Sequence, residues 1–595
     1  LHSHTSLSDG VGTLTDAYTY ARDVGKVDFF GVTDHSHQKA DFKTAVENGT
    51  YFGTANSFNE SGRFVTIPGY EFTPNHTSGW MGHINVFNTD YVDTSWIEYN
   101  RHRILNEFYP NLSKYPTAFA MFNHPGYSWG DFMHYGLYSE KYDNLMELAE
   151  IKGSSYDLQY HLMLDKGWHV GPINNEDNHT ADWTTRTKGT SVILAPSLTR
   201  ENLIEAIKLN RTYSLGDPLM RIDYKINGQQ IGSRLSNPTE LNFDIKITHP
   251  TEEIGKVSIV VDGGVVISSK TFNTNNVNWK FTLPPEYKYY VVRVDQNDKD
   301  YSVTAPIWNE NVKPIKIKNL NYKVSNSADA VIKLSIENIA DEDIKDVKVD
   351  FYTSNNITGS PVKTQNIGSF PTGEISVPLT NVMNKTVLAK ISGKGAKTGK
   401  TYSTVEHIYI SGLIITEILF SPESGKQQYI EIYNASNKDI DLGGYHIDFW
   451  TTAGHEPTTT ESSYGLRYEF KDGTIIKPGK THLAVYNNSS QDAAKNLEAF
   501  NSTYKTSLTL NDVTFINYTL GETYSKMIEL DTDSNTTVSR AYYNEYQGNK
   551  SPDKSAGKSV IYSYPKGQMP DTEKIGSKST PTPGSVTSVQ VPGRE

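Results

Sequence analysis

Over roughly the first 215 residues, short apolar runs alternate with stretches whose apolar residues recur at helical spacing. The runs at 27–32, 64–67, 84–87, 118–122 and 191–194 read as strands. Helical spacing falls at 14–24, closed by Gly25, and at 201–209, where Leu203, Ile204 and Ile207 share a face behind Thr199 as cap. This alternation predicts a parallel barrel or a layered sheet. Beyond Asp217 the period changes to two. Phe243, Ile245 and Ile247 alternate with polar residues, and Asp262-Gly263-Gly264 separates two strand-like runs as a hairpin turn would. Ile332, Leu334 and Ile336, then Val347, Val349 and Phe351, repeat the pattern, which predicts β-sandwiches after the first third.

With 595 residues the chain is too long for a single core. A net charge of −12 excludes bulk attraction to nucleic acid or anionic membranes, though not a local basic or metal-lined cleft. No apolar run is long enough to span a bilayer. Cysteine is absent, which rules out thiolate ligands and a cysteine nucleophile. Asn-x-Ser/Thr sequons recur from Asn48 to Asn535, as in a secreted or cell-surface glycoprotein. A motif is already under way at His2, and we expect an earlier segment to have been removed by processing or trimming.

Twelve of the 17 histidines fall in the first 179 residues, so any imidazole chemistry belongs there. His2 and His4 stand at i and i+2, a spacing that on a strand turns both rings to one face. Asp9 follows on the adjoining loop. His35 closes Thr33-Asp34-His35, and Glu71 follows Ile67-Pro68-Gly69-Tyr70. His83 opens an apolar run, His124 ends one before Pro125, and Asp177 and His179 form a second i, i+2 pair. Each piece alone is common on protein surfaces. Nine nitrogen and oxygen donors in order at strand ends converge as active sites do at the end of a barrel, and suit two or three divalent ions of Zn, Mn or Fe. The other histidines, His76, His102, His134, His161 and His169 near these positions and His249, His407, His446, His455 and His482 beyond them, show no ligand pattern.

As a set, His2-x-His4, Asp9, Thr33-Asp34-His35, Glu71, His83, Asn123-His124-Pro125 and Asp177-x-His179 resemble the polymerase-and-histidinol-phosphatase (PHP) domain. Leu1-His2-Ser3-His4-Thr5 and Gly167-Trp168 through Asp177-Asn178-His179 are similar to its CehA/McbA-like branch. The resemblance implies a distorted (β/α)7 TIM-like barrel over 1–215 holding up to three metals. By it, His2, His4 and Asp177 hold one ion, His83 and His124 a second, and Glu71 bridges the two. Asp9, His35 and His179 hold a third, and Asp34 orients an imidazole. Glu71, Asp177 and His179 would carry the catalytic roles. Separately from the resemblance, Arg186, His37 and Trp183 are candidate substrate contacts because each stands close in sequence to a proposed ligand.

Near the other end, Leu413 to Ile418, Gln428 to Asn434, Asp441-Leu442-Gly443-Gly444-Tyr445, Gly557-Lys558-Ser559-Val560 and Pro581-Thr582-Pro583-Gly584 look like a lamin-tail domain, an immunoglobulin-like sandwich. The expected order is a barrel over 1–215 and a β-sandwich over 216–308 packed on or next to it. An immunoglobulin-like sandwich over 313–411, a lamin-tail-like sandwich over 412–587 and a tail over 588–595 follow. The expected function is a secreted phosphoesterase that hydrolyses phosphomono- or phosphodiesters with a metal-bridging hydroxide. The C-terminal sandwiches would serve surface or polymer attachment, and nucleic acid enters only as a substrate. Two rivals stay open: carbamate or carboxylic ester hydrolysis at the same metals, and a surface or filament structural protein carrying the domain.

Overall fold

The structure, a computed structural model, describes residues 1–37, 39–73, 82–93, 104–126, 130–132, 134–310, 314–325, 328–450, 465–487, 492–521, 526–544 and 553–594. The chain is multidomain and largely β, built from many sheets. It divides into two compact units, Leu1–Val312 with Asn356–Gly359, and Lys313–Asn355 with Ser360–Glu595.

In the first unit, β1 (Phe29–Phe30) pairs in parallel with β2 (Val65–Thr66). A five-stranded sheet follows in the order β3 (Gly69–Phe72), β4 (His83–Phe87), β5 (Phe119–Asn123), β6 (Met146–Glu150) and β7 (Gly171–Ile173). Every residue of these five strands is buried, as in a sheet covered on both faces, and two of them, β4 and β5, read from the sequence as apolar runs. Isolated backbone bonds flank the sheet. Thr33 N–H donates to Ser3 O at 2.8 Å, Glu71 N–H to Asp34 O at 3.0 Å, and His4 N–H to Asn178 O at 2.8 Å.

No closed barrel is found among the described residues, so the expected (β/α)7 barrel is not shown. Pairing is parallel from β5 to β7 but antiparallel between β3 and β4 and between β4 and β5. Only residues 73–82 join β3 to β4, fewer than the dozen or so that a parallel crossover needs. The chain therefore turns back, and β4 runs against its neighbours.

The helix Leu14–Asp23 starts at a reciprocal cap in which Thr13 accepts from Asp16 N–H and Asp16 accepts from Thr13 N–H. Arg200–Lys208 starts at Thr199, as its sequence predicts. The run at 191–194 forms β8 (Thr190–Ile193), which pairs antiparallel with β9 (Thr212–Leu215). β9 in turn pairs with Tyr301–Thr304, so one sheet takes strands from both sides of residue 215. Val32, Tyr70, Phe122 and Trp168 share a core with Val291 and Val303 from those later strands. Polar ties reinforce it: Arg293 donates to Asp157 at 2.9 Å, and Tyr289 OH donates to Asp165 at 3.0 Å. Leu241–Thr248 alternates buried and open positions as its period-two sequence predicts. Gly255–Val261 and Val265–Phe272 form the expected hairpin around Gly263, whose φ is 70°.

In the second unit, Ile315–Val324, Ala330–Asn338 and Ile375–Leu379 face Ile344–Tyr352, Lys385–Gly395 and Thr401–Ile410 across a core containing Ile332, Leu334, Val349 and Ile391. Residues 588–595, expected as a tail, include Gly593–Arg594, which pairs in parallel with Lys323 and Val324. Backbone groups at a strand edge need partners, and this segment supplies them. From Leu413–Ser421 onward a six-stranded and a four-stranded sheet enclose a core of Ile415, Ile430, Ile447 and Leu530. Glu417 and Glu431 are register partners. They bind the closing segment, Glu417 by accepting from Thr582 N–H at 3.1 Å and Glu431 by accepting from Gly584 N–H at 2.7 Å.

Candidate metal centre

All nine donors named from the sequence gather in one cluster of the first unit. Its centre is Glu71, at 1% exposure. Five imidazoles approach its carboxylate: His35 Nδ1 at 2.9 Å, His83 Nδ1 at 3.0 Å, His4 Nε2 at 3.4 Å, His2 Nε2 at 3.5 Å and His124 Nε2 at 3.6 Å. Asp177 Oδ1 lies 3.1 Å from Nε2 of both His2 and His4. Asp9 reaches His179 Nε2 at 3.3 Å and His35 Nε2 at 3.6 Å, and the His179 ring stacks on His4 with centroids 4.0 Å apart.

Strand direction explains how these residues meet. Glu71 lies near the end of β3, and His124 and Asp177 follow β5 and β7. β4 runs the other way, so His83 at its start pairs with Asn123 at the end of β5. Gly82 makes that start, with φ 77° and a Cβ position that the Phe132 ring would meet at 2.3 Å. Gly10 has a similar role on the loop carrying Asp9, since a Cβ there would lie 2.6 Å from the carbonyl carbon of His4. His124 and Asp177 adopt positive φ, 27° and 52°. For His124, which precedes Pro125, this is a costly conformation held by its surroundings.

Three overlapping donor groups lie close enough to share ions: His2, His4 and Asp177; His2, Glu71 and His124; and His4, Asp9, His35 and His179. The first has the residues that the family resemblance implies for one ion, the third holds Asp9, His35 and His179 with His4 added, and the second joins His2 rather than His83 to Glu71 and His124. His83 stands outside the three, with Nδ1 on Glu71 and its ring 4.8 Å from that of His124.

The electrostatics are those of a charge-dense pocket. Burial would raise the Glu71 carboxyl, but positive charge on His35 and His2 outweighs it and holds the group well below the usual carboxylate range. Asp177 is likewise held low by His2 and His4 against its burial. Burial opposes the charge on His2, yet Asp177, Glu150 and Glu71 raise it to about 10. Burial lowers His83 to about 4.

The donors fit divalent transition ions. They are imidazole nitrogens and carboxylate oxygens without thiolate, on strand ends and tight turns. Glu71 Oε2 is buried and makes no hydrogen bond, while the nearest nitrogen, His35 Nδ1, lies 2.6 Å from Thr73 Oγ1.

Two supporting residues, Glu150 and Thr73, stand outside the motifs, and a third, Asn123, belongs to the Asn123-His124-Pro125 motif with no role of its own expected. Glu150, at the end of β6, lies 3.3 Å from His2 Nδ1 and accepts the His124 N–H at 2.7 Å. Asn123 donates to Glu71 Oε1 at 2.8 Å, and Thr73 contacts His35. The signal for Glu150 was its place at the end of Met146–Glu150, a strand that the sequence reading passed over.

Asp34 and Trp183 take roles other than those expected, while Arg186 and His37 remain open to solvent in whole or in part. Among the described residues Asp34 bonds no imidazole directly; it accepts from Thr5 N–H at 2.7 Å and from the Thr5 and Ser8 hydroxyls at 2.7 and 2.6 Å, with Ser8 Oγ 3.3 Å from His4 Nδ1, and so shapes the loop after His4. Trp183 is buried beneath the site with Nε1 donating to His4 O at 3.0 Å, where it supports the backbone rather than a substrate. Arg186 is exposed and donates to Thr180 Oγ1 at 2.6 Å. His37 is half-buried, its ring 5.7 Å from that of His35. Of the histidines without a ligand pattern, His76, His102 and His455 lie outside the described residues.

Fold and site together define a β-rich multidomain protein with an imidazole-and-carboxylate cluster in its first unit. Residues 409–545 match the Lamin Tail Domain family model, and no PHP domain is detected. No curated protein matches the chain. Among solved structures, dimeric latent PorU from Porphyromonas gingivalis is 13% identical over 47% of this chain and 33% of its own, with TM-score 0.16. Trypsin-activated alpha-2-macroglobulin from Escherichia coli is 9% identical over 62% and 29%, with TM-score 0.17. A DUF4785 family protein from Legionella pneumophila is 10% identical over 60% and 88%, with TM-score 0.20. The chain thus spans about a third of the length of the first two.

Proposed function

We propose that the first unit is a PHP-like metallohydrolase of the CehA/McbA-like type that cleaves phosphate esters, with the lamin-tail region as an accessory on a secreted or cell-surface protein. The convergence of five imidazoles on the buried Glu71 carboxylate is the observation that carries this reading. A buried anion with more nitrogen donors around it than it can accept hydrogen bonds from is better suited to cation binding than to packing. His2, His4 and Asp177 would hold one ion, Glu71 and His124 with His83 a second, and Asp9, His35 and His179 a third.

Bound divalent ions would supply an activated water and positive charge against the phosphoryl oxygens. This chain's own residues prepare the site for that. Glu71 and Asp177, held ionised, keep ligand oxygens unprotonated. Glu150 orients His2, Asn123 fixes Glu71, and Trp183 anchors the backbone of His4. Arg186 stands next to Thr180 on the exposed rim, where an anionic substrate would pass. A panel of phosphomonoesters, phosphodiesters, carbamates and carboxylic esters, run with added Zn, Mn or Fe, tests the reading. Turnover of phosphoesters above the other classes supports it; turnover of the carbon esters alone would reassign the substrate.

A further inference from the structure

In Tyr445–Trp450 of the lamin-tail region, successive side chains point to opposite faces. Ile447 and Phe449 enter the apolar core. His446 and Asp448 take the other face and are nonetheless buried, each at 2% exposure. Strand register sets His446 against Asp531 and Asp448 against Glu529. One buried sheet face therefore carries an imidazole and three carboxylates.

Two of those carboxylates are matched by guanidinium groups. Arg467 takes both oxygens of Asp448 at 2.8 Å, and Arg540 takes Glu529 at 2.6 Å and Asp571 at 2.9 Å. Asp531 has no such partner among the described residues; the nearest cationic group is His446, with Nε2 at 3.8 Å from Oδ2. The same Nε2 lies 3.8 Å from Asp448 Oδ2. Both separations exceed hydrogen-bond reach. Neither His446 Nε2 nor Asp531 Oδ1 finds a hydrogen-bond partner, although both are buried polar atoms. Such atoms are rare and call for an unseen partner.

The spacing suits a cation. One nitrogen and two carboxylate oxygens lie within 4.8 Å of one another. Donors held about 2.1 Å from zinc stand about 3.4 Å apart at the tetrahedral angle, so the two separations of 3.8 Å from His446 Nε2 close on an ion by shifts of a few tenths of an ångström. The imidazole disfavours calcium and magnesium, which take oxygen ligands. Two positive charges would offset the excess of carboxylates over guanidiniums on this face. We propose that His446, Asp448 and Asp531 form a second, structural cation site for zinc, carried entirely by the C-terminal unit and independent of the phosphoesterase reading.

The test uses the full chain, saturated with zinc, desalted and assayed for bound metal. The unaltered protein should retain one more zinc ion than His446→Ala or Asp531→Asn, with both variants giving native circular dichroism. Glu71→Gln should lose ions from the first unit and keep this one, which separates the two sites. Equal zinc content in the unaltered chain and both folded variants would overturn the proposal. Anomalous scattering at the zinc edge from crystals of the unaltered chain decides the matter if the variants fail to fold: a peak among His446, Asp448 and Asp531 is expected, and its absence would overturn the site.

Discussion

Glu150 Oε2 lies 3.3 Å from Nδ1 of His2, with both side chains buried. The same oxygen accepts the backbone N–H of His124 at 2.7 Å, and Glu150 Oε1 lies 3.0 Å from Lys152 Nζ. One carboxylate thus sets the ring of one proposed ligand and the backbone of another. Carboxylates behind metal-binding imidazoles fix the ring and raise its basicity. Glu150→Gln keeps the shape and removes the charge, and should weaken zinc or manganese affinity about 10- to 100-fold by calorimetric titration. Unchanged affinity would mean that His2 is not a ligand.

Trp183 offers a contrast, since its sequence neighbours suggest a substrate contact and its burial says otherwise. Trp183→Phe removes the donor to His4 O. It should cost the first unit about 1–3 kcal/mol in denaturant unfolding, as for a buried carbonyl left unsatisfied. KM for a small phosphoester should stay within about twofold, because the indole does not line the approach. A large rise in KM with no loss of stability would restore the substrate-contact role.

How much of this was legible in the sequence can be traced through particular residues. Thr199 and the period-two strands were readable because caps and alternation are local. The nine donors were readable because they stand at ends of apolar runs, in i, i+2 pairs or on the loop that follows one. His83 was the exception that carried extra information: it precedes its run while Glu71, His124 and Asp177 follow theirs, which is what an antiparallel β4 requires. Glu150 was hidden, since nothing local distinguishes a carboxylate behind a ligand from one in solvent, and Asn123 stood in a quoted motif without its contact to Glu71 being readable. His446 and Asp531 were hidden for a related reason: 85 positions separate them, and only strand register makes them neighbours.

The buried glutamate pair of the lamin-tail region predicts a pH dependence. Burial, with the neighbouring charge of Glu417, raises Glu431 to about 8 from an ordinary value of 4.5. The folded state then binds more protons than the unfolded chain between those values, so stability falls as pH rises through them. The C-terminal unit should melt several degrees lower at pH 8.5 than at pH 5.5, and Glu431→Gln should flatten the difference. A melting temperature that rises over this interval in the unaltered chain would contradict the assignment.

All nine proposed ligands and their supports lie within Leu1–Val312 with Asn356–Gly359. A chain ending after residue 312 loses, from the first unit, only the short segment Asn356–Gly359, whose Ile357 N–H donates to Val266 O at 3.0 Å. It should fold, bind metal and keep turnover on small soluble phosphoesters within a few-fold of the full chain. Polymeric or surface-bound substrates should suffer more, because a tethered second module raises effective concentration. Loss of metal binding in a folded truncated chain would show that the second unit contributes to the site.

The central claim is that Glu71 is the hub of a multinuclear centre, and metal content set beside turnover tests it most directly. The full chain, saturated with manganese or zinc and desalted, should hold two or three ions in its first unit, matching the three donor groups. Glu71→Gln should lose at least one of these and reduce phosphoester turnover by two orders of magnitude or more, while His37→Ala changes neither by more than a few-fold. One ion or none in the first unit of the unaltered chain, or equal losses in the two variants, would contradict the account.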